Sequence, residues 1–215
     1  MDNEIVKNKS ENEEKLDRNT EKLIFTAAKK VFHSKGMYGA RMQEIADEAG
    51  INKAMLHYYF RSKEKLFEAI FIEDCSEFFS RIRGFLNKDM PLLEKIEYMV
   101  ENYIELLSKN THIPSFIISE IHHNPERMKN FFLKYGISPD PGLTEDIKTA
   151  VALGNIRPID PRQLIVNIVS MCIFPVVASP ILQTIFNFSD DDYKIFIEAR
   201  KKEVSKFIIN SIKIN

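Results

Sequence analysis

From Asn19 onward, apolar residues recur at helical spacing. Leu23, Ile24, Ala27, Ala28, Val31 and Phe32 fall on one face of a helix that Asn19 or Thr20 can cap and Gly36 can end. A short helix follows from about Arg41 to Ala49, stopped by Gly50. Another begins after Asn52, a good N-cap, and runs to about Phe60. Ser62 caps a long fourth helix with Glu64 in its first turn, and its apolar stripe runs from Leu66 and Phe67 to Phe79 and Ile82. Pro91 opens a helix carrying Ile96, Met99, Val100, Tyr103, Ile104 and Leu107, and Pro114 and Pro125 mark two shorter ones. The run from Gly136 to Gly142 reads as a loop; Thr144 caps the next helix, which Gly154 closes. Asp160 and Pro161 start an apolar stretch to Phe186, interrupted by Pro175 and Pro180, which reads as one buried, kinked helix. Ser189 caps a final amphipathic helix over Asp190–Ile212. The pattern predicts an all-α fold of nine or ten helices with no strand and no internal repeat.

Composition narrows this picture. Apolar residues make up 44% of the 215, enough for a core, with 16 Phe, no Trp and only 7 Gly. Formal net charge is −1, which excludes a uniformly basic nucleic-acid binder and requires any DNA-binding charge to be local. Between Arg18 and Lys65, 10 Lys and Arg face 5 Asp and Glu, a surplus that suits phosphate neutralisation. Residues 1–17 are rich in Lys, Glu and Asn and read as a mobile arm. Both charge signs occur there, which weakens a minor-groove role. Met1 to Arg18 lacks the apolar centre of a signal peptide, and no run reaches the ~18 uninterrupted apolar residues of a membrane span. A cytoplasmic protein is expected. Cys75 and Cys172 lie far apart in apolar stretches and read as buried free thiols, not as a disulfide framework or a zinc site.

The segment from Met42 to Tyr59 carries the functional information. Two short helices joined by a turn of three or four residues make a helix-turn-helix. Ala46 supplies the small residue needed where the helices cross, and Gly50 supplies the positive φ of the turn. Ile45, Ala49, Ile51, Leu56 and Tyr59 fall toward a shared core. Lys53, Ala54, Met55, His57 and Tyr58 are left pointing outward from the second helix, as a helix lying in a major groove requires. An ordinary αα-hairpin would not need every one of these positions in a single register.

Lys35-Gly36-Met37-Tyr38-Gly39, Ile45-Ala46, Ala49-Gly50-Ile51 and the run from Leu56 through Tyr59-Phe60-Arg61-Ser62-Lys63-Glu64-Lys65 to Leu66 resemble the signature of TetR-family regulators. The match covers roughly Leu23 to Phe67. It implies an arm over 1–17, a three-helix DNA-binding domain over 18–65, and a ligand-binding and dimerisation domain over 66–215, reached through the long fourth helix. It further implies DNA contacts from Arg41, Met42 and Gln43 at the start of the first motif helix. There this chain departs from the usual Thr or Ser, and Gln43 can pair with adenine. Lys53 and Ala54 open the recognition helix. Met55 stands at a frequent Thr position and offers a thymine methyl an apolar contact; His57 and Tyr58 approach backbone or bases. Lys63 grips phosphate beside the fourth helix's N-terminal amides.

The same resemblance implies a homodimer on a palindromic, double-stranded operator, with half-sites ~34–36 Å apart, released by a small apolar effector that tilts the fourth helix. Apolar residues exceed what a helix stripe needs over 71–79, 98–107 and 116–121. Phe71, Phe78, Met99, Leu107 and Phe116 are candidate cavity residues, with Tyr103 and Glu120 orienting a ligand. The helices over 161–186 and 190–212 are apolar enough to form the dimer interface. Glu120, His122 and His123 suggest a metal, but adjacent histidines diverge on a helix and no third nearby ligand is evident, so no metal or cofactor is expected. No Ser/His/Asp order, phosphate loop or carboxylate pair suggests an enzyme. An activator of the same family and a helical adaptor that binds no DNA remain as alternatives.

Overall fold

A computed structural model describes residues 2–134 and 141–214, with side chains over 17–134 and 142–214. Among them the chain forms eleven helices and no strand. They fall into two compact units, 1–75 and 76–215.

The N-terminal unit holds α1 (Asp2–Gly39), α2 (Met42–Ala49), α3 (Lys53–Tyr59) and the first half of α4 (Lys63–Leu86). Helical backbone therefore begins upstream of the expected cap at Asn19. The expected arm over 1–17 lies, for all but Asp17, where no side chain is described. Gly36 takes φ 64° and ψ 178°, so α1 is broken where the sequence places a helix end. Ile24, Ala28, Phe32, Ile45, Ala46, Leu56, Leu66 and Ile70 are fully buried. Phe67 meets Phe32 edge-on with centroids 5.1 Å apart. This packing carries α4 into the unit as far as Cys75, ten residues beyond the boundary expected at Lys65.

The C-terminal unit contains the rest of α4 with α5 (Leu92–Lys109), α6 (His112–His123), α7 (Pro125–Lys134), α8 (Pro141–Ala152), α9 (Pro161–Val177), α10 (Ser179–Phe186) and α11 (Asp190–Ile212). Helix α5 is central and packs against α9 and α11. Its buried Lys95 pairs with Asp146 of α8 at 2.5 Å, and its Glu105 with Lys201 of α11 at 2.5 Å. The caps fall as expected: Asp160 accepts from the Arg162 amide with Pro161 behind it, and Ser189 forms a capping box with Asp192. Most of the expected loop over 136–142 lies outside the described residues. Helix α8 already begins at Pro141, ahead of the cap expected at Thr144.

The count exceeds nine or ten because the stretch from Pro161 to Phe186 is two helices, α9 and α10, bent by 71°. Pro175 and Pro180 flank the break, and each withdraws an N–H from the helical ladder. Nor is the stretch a buried core element throughout. Leu164, Ile168, Cys172 and Val176 are buried, but Val166, Phe174, Ile181, Ile185 and Phe186 stand exposed on this chain. No single helix among the described residues is long and apolar enough to cross a membrane.

Candidate DNA-contacting surface and ligand cavity

In the N-terminal unit, α2 ends on Gly50 in the left-handed region (φ 68°), whose amide donates to the carbonyls of Ala46 and Asp47. The chain then re-enters a helix at Asn52, whose side chain accepts the Met55 amide at 2.7 Å. These two caps set the turn. Leu56 is thereby fully buried, while Lys53, Ala54, Met55, His57 and Tyr58 are all exposed, Tyr58 by 79%. The outward set expected from the sequence is the outward set observed. Tyr59 is half-buried and donates its hydroxyl to Asp17, and Phe60 packs on Phe25.

The positions before α3 are more engaged. Arg41 is exposed at the N-terminus of α2, where its side chain makes no cap. Met42 is half-buried beside it. Gln43 is exposed but donates to Asp47 at 2.8 Å, a bond it must exchange to read a base. Lys63 makes a contact that the sequence did not announce. Its ammonium is half-buried and donates to the Ala40 carbonyl at 3.1 Å, tying the α1–α2 connection to the first turn of α4. Arg61 and Lys65, which sequence reasoning did not single out, are the exposed cations flanking it.

The C-terminal unit holds a partly open cavity of about 430 Å³ between α4, α5, α6, α7, α8 and α9. Phe78, Met99, Tyr103 and Leu107 line it, as the sequence led one to expect. Three other candidates do not. Phe71 stacks on Phe67 in the N-terminal unit, with centroids 5.9 Å apart. Phe116 is buried away from the lining, on the face of α6 opposite Ile118. Glu120 is buried and spent in an ion pair with Arg127 of α7, so it is not available to orient a ligand. Phe79 on α4 and Ile117 on α6 also line the cavity, within the apolar stretches singled out in the sequence, whereas Ile82 on α4, Phe132 on α7, and Ile165 and Ile168 on α9 were missed. His122 and His123 are exposed, and His123 bonds back to the Ser119 carbonyl within α6. Burial raises the Tyr103 hydroxyl above its ordinary pKa and pushes the Cys172 thiol up to about 12.

Residues 24–70 match the family model for bacterial regulatory proteins of the tetR family. The chain is 26% identical over 207 residues to the HTH-type transcriptional regulator RutR of Escherichia coli K12, covering 89% of this chain and 90% of that one. Among solved structures, it resembles Bacillus subtilis FadR in complex with stearoyl-CoA, with TM-score 0.60 and 18% identity over 87% of this chain and 96% of that one. It also resembles a TetR/AcrR-family regulator from Thermobifida fusca, with TM-score 0.56 and 19% identity over 88% and 97% of the two chains.

Proposed function

We propose that this chain, whose residues 24–70 match the tetR family model, is a cytoplasmic repressor of that family that grips a palindromic operator as a homodimer and lets go when a small apolar effector fills its cavity. Lys53, Ala54, Met55, His57 and Tyr58 enter the major groove; Arg41, Met42 and Gln43 meet the flanking backbone and base edges. Arg61 and Lys65 add phosphate charge beside Lys63, whose ammonium keeps two N–H donors beyond its bond to Ala40. Two copies meet through the exposed apolar residues of α9, α10 and α11, which include Phe174, Ile185 and Phe207.

The observation that carries ligand release is the course of α4. The helix that lines the cavity through Phe78, Phe79 and Ile82 is the one that begins at Lys63, beside the helix-turn-helix. An effector that fits the released arrangement better than the DNA-bound one shifts the population toward release. A gel shift with DNA from the flanking gene region, run across a salt series, tests the reading. Binding must fall steeply with salt and weaken with Lys53→Ala or Tyr58→Ala. A folded dimer that ignores all such DNA, at low salt and without effector, refutes it.

A further inference from the structure

The cavity has an unusually one-sided chemistry. Among the described residues that line it, Tyr103 alone carries a polar side-chain group; the rest present hydrocarbon or, at Met99, a thioether. The Tyr103 ring is held against Phe78, with centroids 6.4 Å apart. Its hydroxyl has no hydrogen-bond partner among the described residues, and the side chain lines the cavity. Burial raises its pKa, so it remains an O–H donor through the neutral range. Among the described lining residues there is no Lys, Arg or His to meet an anion and no Asp or Glu to meet a cation.

A buried polar group without a partner is costly, and a buried charge without one costs far more. The walls therefore select against any ligand whose polar atoms outnumber one donor. Resting on the effector-release reading above, we infer that the effector is an uncharged molecule with a hydrocarbon body and one hydrogen-bond-accepting oxygen, a ketone, ester or amide carbonyl, which receives the Tyr103 O–H. An ionised carboxylate, sugar or nucleobase lodged inside brings buried polar atoms that none of the described lining residues but Tyr103 can satisfy. A volume of about 430 Å³ suits a body of medium-chain or two-ring size.

The test uses the full-length protein and N-phenyl-1-naphthylamine, a neutral fluorophore that brightens in apolar surroundings. Its displacement is measured with three competitors of matched length: 2-undecanone, decanoate and undecane. At pH 7.5 decanoate should compete about a hundredfold less well than 2-undecanone, since only its scarce neutral form enters. Tyr103→Phe, which keeps the ring, should weaken the ketone about three- to tenfold and leave undecane unchanged. Decanoate competing as well as the ketone overturns the inference, and so does a ketone indifferent to Tyr103→Phe. Wild-type protein that takes up no fluorophore at all sinks the cavity reading itself, a separate result. The comparison of competitors on wild type decides the matter even if the variant folds poorly.

Discussion

Arg127→Met removes the one described counter-charge of Glu120, a carboxylate whose side chain is 2% exposed, while Arg127 itself is 28% exposed. The pair joins α6 to α7 across the Asn124–Pro125 break, where Asn124 also accepts the Arg127 amide at 3.3 Å. Removing one partner of a buried pair costs ~3–5 kcal/mol, because the remaining charge stays desolvated and unanswered. Partial solvent access at Arg127 argues for the lower end, ~3 kcal/mol. For a chain of this length that is a fall of ~6–12 °C in Tm. Removing both charges is a different matter. Glu120→Leu with Arg127→Met exchanges the pair for apolar contacts in an apolar setting, and should restore stability to within ~1 kcal/mol of wild type. Urea and thermal unfolding followed by circular dichroism at 222 nm reads both variants. Separate transitions for the two units are resolved first, since a single ΔG is meaningless otherwise. A single variant losing under ~1 kcal/mol, or a double variant no better than the single, would show that the pair is not energetically buried.

Gly50→Ala meets no atom within 4 Å of the added Cβ, so its cost comes from φ 68° alone; about 1 kcal/mol should be lost in urea unfolding, and a neutral result would contradict the left-handed cap. Cys75 and Cys172 are 0% and 1% exposed with thiol pKa values raised by burial, so an aromatic disulfide reagent should modify them only after unfolding; rapid reaction of either in native protein would contradict the packing. Hydrogen bonds from Lys109 and then Lys201 hold the Glu105 carboxyl down at about 2, against an ordinary 4.5. The folded-state value is the depressed one, so this stabilisation is present above pH 4.5 and lost as pH falls toward 2. Glu105→Gln should cost under ~1 kcal/mol at neutral pH, given its 39% exposure, with the gap to wild type closing in acid; a gap that widens there would reverse the sign argued.

The helix-turn-helix was legible because its constraints are local. Ala46, Gly50 and Asn52 each have one backbone or contact job within a few residues, and Leu56 must turn inward if they do those jobs. Local rules also placed Ser189 and Asp160 as caps. They failed where a helix meets something distant. Nothing local announced that the Ala40 carbonyl, 23 positions earlier, takes a hydrogen bond from the Lys63 ammonium. The stretch from Pro161 to Phe186 looked buried because hydropathy does not distinguish a residue facing its own core, such as Ile168, from one on the outer surface, such as Ile185.

The cavity shows the same limit more sharply. Phe71 and Phe78 sit on one stripe of α4 seven residues apart, and nothing in that stripe says that the first packs on Phe67 while the second borders empty space. A void is a property of six helices taken together, each contributing residues that would read as ordinary core on their own. Polar residues inside such a region divide into those with a partner and those without, and only the latter are free for a ligand. Glu120 had a legible partner: Arg127 lies seven residues on, two helical turns, with the Asn124–Pro125 break between them to bend the chain back. Tyr103 has none among the described residues. Of the two polar side chains the sequence put forward, the one without a protein partner among the described residues is therefore the one that the proposed effector would satisfy.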